Sequence, residues 1–182
     1  MASALAVLRA WRMRITVPNA FLLLLSHLEA SENSEELQSM EIRQLGRSGL
    51  RVSALALGTM TWGRDTDEHE AAEQLRAFLD YGGTLIDSAA IFGDGDSERV
   101  IGGLLNTLTP RGQVVLASKG GMTTTGVNNS RGNLLKDLDD SLKRLRTDYL
   151  DIWMVQRWDE HVPLEETLTA LELAVSSGRV RY

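Results

Sequence analysis

Three side chains able to take part in acid–base or hydrogen-bond chemistry stand where apolar runs of the sequence end. Asp87 closes the apolar part of TLIDSA, Lys119 follows QVVLAS, and Gln156 follows YLDIWMV. Phe92, shortly after Asp87, precedes a glycine-rich acidic turn and has no proton to give. If the runs are parallel strands, the three polar side chains lie at the carboxyl ends of strands, where an α/β barrel carries its chemistry.

The elements that would position these side chains form a regular pattern. The near-continuous apolar runs ALALGT, TLIDSA, QVVLAS and YLDIWMV recur about every 30 residues, which is typical of parallel strands covered on both faces. Segments with leucine at helical spacing separate them. Strand and helix in such alternation indicate right-handed βαβ units. Before the first run, EIRQLG, RSG and LRVSAL predict a β-hairpin around a glycine-containing turn.

Two α/β architectures compete for this pattern. A doubly wound sheet would carry G-x-G-x-x-G in its first strand–helix turn, and LGTMTWGRDTD lacks that motif. We therefore predict a partial (β/α)8 TIM barrel of about four βα units preceded by the hairpin, truncated at a fifth strand that GRVRY begins. Four strands cannot close a barrel, so the first and fourth strands should have open edges, which predicts self-association.

The composition of the chain disfavours several classes of function. The formal net charge is −6, which disfavours nucleic-acid binding because phosphate neutralisation needs a basic surface. Without cysteine there is no disulfide framework, thiolate zinc site or thiol nucleophile, which is compatible with the cytoplasm. No metal site is predicted, because DGDSE lacks the spacing of a calcium loop. Instead, Asp96 or Ser97 is expected to cap a helix that begins near Glu98.

The first 39 residues differ from the remainder. They are arginine-bearing and acid-poor, then end in the polar, linker-like SENSEELQS. We predict that residues 1–39 are a poorly ordered or helical extension whose native status is left open, and that residues 40–182 form the domain. The apolar run at 21–25 is far shorter than the roughly 20 residues that a membrane span needs. An organelle-targeting peptide is the alternative to a cytoplasmic location.

Several motifs together resemble the aldo-keto reductases. LGTMTWG, LIDSAAIFGDGDSERVIGGLL, VVLASKGG, SLKRLRTDYLDIWMVQRWD, PLEETLTAL and GRVRY occur in the order and at the intervals of that family, so the resemblance covers residues 40–182. It implies a (β/α)8 barrel that moves hydride between NADPH and an aldehyde or ketone, with an Asp, a Tyr, a Lys and a His at the active site.

By this resemblance Asp87 and Lys119 are the catalytic Asp and Lys, while Phe92 replaces the Tyr and Gln156 the His. A cationic Lys lowers the pKa of a Tyr, about 10 when free, so that the phenol can protonate the developing alkoxide. Phe92 has no hydroxyl, and Gln156 cannot become a cation. We expect an oxidoreductase of this type with impaired reduction of aldehydes and ketones; the alternative is a non-catalytic fragment acting as a binding or oligomerising module.

The resemblance also implies the cofactor NADP(H). Gly58, Thr59 and Met60, at the exit of the first strand, would lie with Asp87 near its nicotinamide. In the family, segments after the fifth to eighth strands mainly hold the adenosine and the 2′-phosphate, so binding to this chain is expected to be weak.

The implied substrate is a small carbonyl compound. Candidates to line its pocket are Trp62, Phe92 and Trp158. For the two tryptophans, a place capping the core is the equal alternative.

Overall fold

An antiparallel hairpin opens the part of the chain that the computed structural model describes, residues 40–182. Strand β1 (Ile42–Gln44) pairs with β2 (Arg51–Ser53), which confirms the hairpin expected from the sequence. The predicted extension, residues 1–39, lies outside the described residues, so its character and the domain boundary stay predictions.

A parallel sheet follows the hairpin. In chain order the remaining strands are β3 (Ala56–Gly58), β4 (Leu85–Asp87), β5 (Val115–Gly120), β6 (Met122–Thr123), β7 (Gly126–Val127) and β8 (Ile152–Val155). The sheet has the order β3, β4, β5, β8, and β6 with β7 forms a separate small hairpin. Gly58 lies opposite Asp87, which lies opposite Ala117, so the carboxyl ends of the strands come together as predicted.

One helix follows each strand of the parallel sheet. The helices are α1 (Glu68–Asp80), α2 (Asp96–Leu104), α3 (Arg131–Leu145) and α4 (Leu164–Ser176). Their apolar stripes pack on the sheet because residues three and four apart share a helix face. The core they enclose includes Leu75, Ile86, Ile101, Leu116, Leu138, Leu145 and Trp153. Within residues 40–182, no helix is both long and apolar enough to cross a membrane.

The two faces of the sheet have different environments. Ile86 and Leu116 are fully buried against the helices. Since successive side chains of a strand alternate between faces, their neighbours Asp87 and Ala117 point to the opposite face, as does Lys119. In a closed barrel that face lines the interior. The fold therefore places the polar strand ends on the side away from the helices.

Residues 179–182 lie along the outer side of β8. The N–H of Leu150 donates to the carbonyl of Arg179 at 2.9 Å, and the N–H of Tyr182 donates to the carbonyl of Asp151 at 2.9 Å. GRVRY thus runs beside β8 as the predicted fifth strand would. The edge predicted to be open on the fourth strand is thus covered at its start, as far as Trp153, by these final residues.

A buried carboxylate ties this end of the sheet together. Asp151 accepts a hydrogen bond from the N–H of Leu116 at 3.0 Å and forms ion pairs with Arg111 at 2.8 Å and Arg181 at 3.2 Å. The ring of Tyr149 lies between the two guanidinium groups, 4.0 and 3.8 Å from its centroid. These ion pairs therefore link the connection before β5 to the start of β8 and to the final residues.

Candidate active site

Asp87 and Lys119 form an ion pair at the carboxyl ends of β4 and β5. Lys119 Nζ donates to Asp87 Oδ1 at 2.7 Å and to the carbonyl oxygen of Ser88 at 2.7 Å. The side chains are 16% and 34% exposed for Lys119 and Asp87 respectively, so the pair is partly shielded yet reachable. An ammonium group has three donors, so two of them are used and one is left for a ligand.

The ring of Phe92 lies beside this ammonium group. Lys119 Nζ is 5.4 Å from the ring centroid, within the range of a cation–π contact. Phe92 begins a short 3-10 turn, Phe92–Gly95, and its N–H donates to the carbonyl of Ala89 at 3.0 Å. The position that the resemblance gives to a phenol thus carries an aromatic ring near the charge, and this ring has no hydroxyl.

Gln156 is held by its backbone next to the same strand end. Its N–H donates to the carbonyl of Gly120 at 2.9 Å, which continues the ladder between β5 and β8 beyond the last paired residues. Its side-chain Oε1 is buried and finds no hydrogen-bond partner among residues 40–182. An unpaired buried acceptor costs about 1–3 kcal/mol, so a ligand that donates to this amide would recover part of that cost.

The residues predicted to contact a nicotinamide fall into two groups. Gly58 pairs with Asp87 in register, and a Cβ added to Gly58 would meet nothing within 4 Å. Met60 is exposed. These features leave open space beside Asp87. Thr59, in contrast, is fully buried, and its hydroxyl donates to the backbone carbonyl of Asp87 at 3.1 Å, so its side chain supports the site from behind.

The two tryptophans predicted for the substrate pocket occupy different environments. Trp62 is fully buried in the core, and its Nε1 donates to Gln74 Oε1 at 2.8 Å, which favours the core alternative. Trp158 is 69% exposed after β8. It lines a hollow of about 310 Å³ together with Val127, Asp159, Glu160 and His161. Asp87, Lys119 and Phe92 are not among the residues that line this hollow.

The loop that carries Trp158 is fixed by a carboxylate. Asp159 accepts hydrogen bonds from the N–H of Asn129 at 3.0 Å and of His161 at 2.9 Å. These donors, that of Asn129 first, hold the pKa of the Asp159 carboxyl below its usual value. Asn129 Nδ2 also donates to the carbonyl of Arg157 at 2.8 Å. The chain after Gln156 is thereby attached to the segment that precedes α3.

The prediction that Asp96 or Ser97 caps a helix beginning near Glu98 is wrong. The hydroxyl of Ser97 is buried instead. Helix α2 begins at Asp96, after Gly95 at φ 88°, and no side chain caps it. Ser97 is fully buried, and its Oγ donates to the carbonyl of Thr59 at 2.9 Å and lies 3.0 Å from Ser88 Oγ. The spacing in the sequence indicated this burial, because Ser97 stands four residues before the buried Ile101 and therefore lies on the same helix face.

Glu98 is a second functional candidate that the sequence did not suggest. Its side chain is fully buried. Oε1 accepts from Ser118 Oγ at 2.5 Å, and Oε2 accepts from Arg144 Nε at 2.7 Å. Because Ser118 directly precedes Lys119, the carboxylate acts on the strand that carries the ammonium group. An acidic residue at a helix start ordinarily faces solvent and interacts with the helix dipole, so the sequence alone did not indicate this buried role.

Known proteins are similar to this chain in sequence. Residues 54–182 match the family model described as the Aldo/keto reductase family. Aldo-keto reductase YhdN of Bacillus subtilis (strain 168) is 36% identical over 153 residues, which cover 78% of this chain and 45% of that protein. A probable voltage-gated potassium channel subunit beta of Oryza sativa subsp. japonica is 36% identical over 148 residues, which cover 79% of this chain and 45% of that protein.

Solved structures agree with the fold. The holo form of an aldo-keto reductase from Bacillus halodurans superposes with a TM-score of 0.71 at 33% identity, over 79% of this chain and 49% of that chain. The chain spans about half the length of the curated relatives it matches. Its hairpin and four βα units therefore correspond to part of a (β/α)8 barrel, as predicted. On the family match and the shared fold together, the chain belongs to the aldo/keto reductase family.

Proposed function

We propose that this chain is an oxidoreductase of the aldo-keto reductase type that acts on small aldehydes or ketones with NADP(H), and that it reduces them poorly. One observation carries the proposal. The Asp87–Lys119 pair, 2.7 Å apart, lies at the strand ends with the Phe92 ring 5.4 Å from the ammonium group. The fixed charge that carbonyl reduction needs is present, and the ring beside it cannot release a proton.

Each residue of the site would have its own role in the reaction. Gly58, Met60 and Asp87 would hold the nicotinamide end of the cofactor, and NADPH, when bound, supplies a hydride to a carbonyl carbon. The free donor of Lys119 would stabilise the negative charge on the carbonyl oxygen. The Gln156 amide can donate a hydrogen bond to the same oxygen. Without a phenol at position 92, we expect a loss of about 10² to 10⁴ in rate.

Weak cofactor binding is part of this proposal. The candidate strip of Gly58, Met60 and Asp87 reaches only the nicotinamide end, so the adenosine end has no counterpart in it. A cytoplasmic location also belongs here, since a chain without cysteine gains nothing from an oxidising compartment.

The double variant Phe92→Tyr, Gln156→His tests the proposal. We expect kcat/KM for NADPH-dependent reduction of an aromatic aldehyde to rise by about 10² to 10⁴, because a general acid is restored. Phe78→Tyr, which adds a hydroxyl on α1, is the matched control and should change nothing. A further Lys119→Met change should abolish the gain.

A spectroscopic titration distinguishes a site that does not form from an activity assay that fails for another reason. The phenol introduced by Phe92→Tyr should ionise at a pH below about 10, the value for a free phenol, because the Lys119 ammonium group favours phenolate. NADPH binding is followed by fluorescence. Robust turnover by the unchanged chain, or NADPH binding by the double variant without any gain in rate, would contradict the proposal.

A non-catalytic, oligomerising role is the second candidate. Leu164, Leu168 and Val175 are exposed large apolar side chains on one outer face of α4, and Leu173 is exposed on another face. An exposed apolar face of this kind is typical of contact with another protein. One similar protein is named a channel subunit, which favours an assembling role in the same family. For this chain we propose a second copy as the partner.

A further inference from the structure

We propose that Ser97 is a positioning residue for the Asp87–Lys119 pair. Its hydroxyl joins the carboxyl ends of β3 and β4 from the helix side of the sheet, directly behind the pair. The proposal rests on the proposed function only in taking this pair as the reactive centre. It is tested on the pair itself and needs no turnover.

Three buried hydroxyls form one chain of hydrogen bonds. Ser97 Oγ donates to the carbonyl of Thr59 at 2.9 Å and lies 2.7 Å from Thr59 Oγ1. Thr59 Oγ1 donates to the carbonyl of Asp87 at 3.1 Å. Ser88 Oγ lies 3.0 Å from Ser97 Oγ. Three hydroxyl protons are shared among these four contacts, so the three hydroxyls and the backbone carbonyls of Thr59 and Asp87 form one connected network.

This chain ends on the groups that hold the ammonium. The backbone carbonyl of Asp87 accepts from the hydroxyl and from the N–H of Thr59, both at 3.1 Å, while its carboxylate accepts from Lys119. The hydroxyl of Ser88 contacts that of Ser97, and its carbonyl accepts from Lys119. Both acceptors of Lys119 Nζ therefore belong to residues that the hydroxyl chain fixes.

All three hydroxyl-bearing residues, Thr59, Ser88 and Ser97, are fully buried. A buried hydroxyl that loses its partner is costly, so the network is satisfied as a whole or disturbed as a whole. Removal of the central hydroxyl leaves the hydroxyls of Ser88 and Thr59 without this partner and the carbonyl of Thr59 without this donor. We expect the ends of β3 and β4 to shift and the acceptors of Lys119 to move with them.

The residue after Ser97 acts on the neighbouring strand. Glu98 accepts from Ser118 Oγ at 2.5 Å, and Arg144 compensates its charge. Ser118 stands immediately before Lys119 in β5. The start of α2 therefore holds β3 and β4 through Ser97 and β5 through Glu98, which makes it the common support of the two partners in the ion pair.

Ser97→Ala, compared with Ser53→Ala, tests this inference. Ser53 is a matched control because it is also buried and joins the opposite ends of the same region, accepting from the N–H groups of Thr84 and Leu85 at 3.0 and 3.1 Å. Both changes should lower the melting temperature. Only Ser97→Ala should loosen the ammonium group.

The readout is the rate at which trace acetic anhydride acetylates Lys119, relative to the exposed Lys136 and Lys143 in the same sample, measured by mass spectrometry over a range of pH. We expect Ser97→Ala to raise the relative rate about fivefold, the factor that corresponds to the net contribution of one ordinary hydrogen bond. Ser53→Ala should leave it unchanged.

Ser88→Ala provides a milder variant in case Ser97→Ala does not fold. It removes only the hydroxyl at one end of the network and should raise the relative acetylation of Lys119 by a smaller factor. An unchanged rate in the folded Ser97 or Ser88 variant, or an equal rise in Ser53→Ala, would overturn the inference. A chain that never reduces an aldehyde still yields this result, so failure here is distinct from failure of the proposed activity.

Discussion

Position 92 shows how a side chain can keep its packing role while its chemistry changes. A phenyl ring at 5.4 Å from Lys119 Nζ offers the same π face to the ammonium group as a phenol would. Such a contact is worth about 0.5–2 kcal/mol, so the fold gains from either ring. The hydroxyl matters only to a reaction. We therefore expect Phe92→Tyr to change proton delivery and not the stability of the site.

Asp159 gives a pH-dependent prediction at the same scale. We expect Asp159→Asn to lower the free energy of unfolding at neutral pH and to have less effect in acid. The N–H groups of Asn129 and His161 hold the pKa of the folded carboxyl down, so its ionised form stabilises the fold above the unfolded pKa of about 3.9. That contribution is lost as the pH falls through the folded pKa.

Urea unfolding of both proteins at pH 7 and in steps below pH 4 measures this difference, with the exposed Asp148→Asn as the control. The gap between Asp159→Asn and the unchanged chain should narrow as the pH falls. A gap of constant size would mean that the carboxylate charge is irrelevant to the loop.

Among the elements, α2 and α3 depend on an unusually close approach. Gly102 packs directly on the backbone of Arg144 and Leu145, and a methyl group there would overlap the Arg144 carbonyl oxygen. The close contact also brings the Arg144 side chain to Glu98. The small residue in α2 is thus a condition for the buried ion pair that supports β5.

Gly102→Ala against Gly103→Ala tests that contact. Both changes remove glycine from a helix, which alone favours folding by about 1 kcal/mol. At Gly103 the nearest atom to an added Cβ is Glu68 Oε1 at 3.3 Å, the end of a flexible side chain, so this variant should be neutral or stabilised. At Gly102 we expect a net loss of about 1–3 kcal/mol from overpacking. Equal melting temperatures for the two variants would contradict the close approach.

The order of elements could be predicted from the sequence because apolar runs and helical stripes are local patterns. The position of Asp87 and Lys119 at strand ends followed from the same patterns. The inward turn of Ser97 could not be predicted, since a polar residue at a helix start usually serves as a cap. Trp62 was equally ambiguous, because a tryptophan after a strand can face a ligand or the core. Such choices are decided by tertiary packing.

At the scale of the whole molecule, we expect contacts with another protein at two surfaces. They are the apolar surface of α4 and the face of the sheet away from the helices. The large side chains Met60 and Met154 are exposed in addition to those of α4. Buried apolar area stabilises a contact by about 25 cal/mol per Å² before the costs of association. A second copy could cover these surfaces.

We expect the chain to self-associate in a concentration-dependent way, which sedimentation velocity measures. Leu168→Glu should shift the distribution toward the monomer, because it places a charge in the middle of the apolar surface of α4. Ser176→Glu adds the same charge at an exposed polar position of that helix and should leave the distribution unchanged. A purely monomeric chain at all concentrations would remove the oligomerising role.

The stacking of Tyr149 between Arg111 and Arg181 has a consequence for how the polypeptide opens. Lifting residues 179–182 from β8 would break more than a ladder of backbone bonds. It would also leave the tyrosine with one cationic neighbour and Asp151 with one counter-charge. Residues 179–182 are anchored electrostatically, so their release should accompany global unfolding and not precede it.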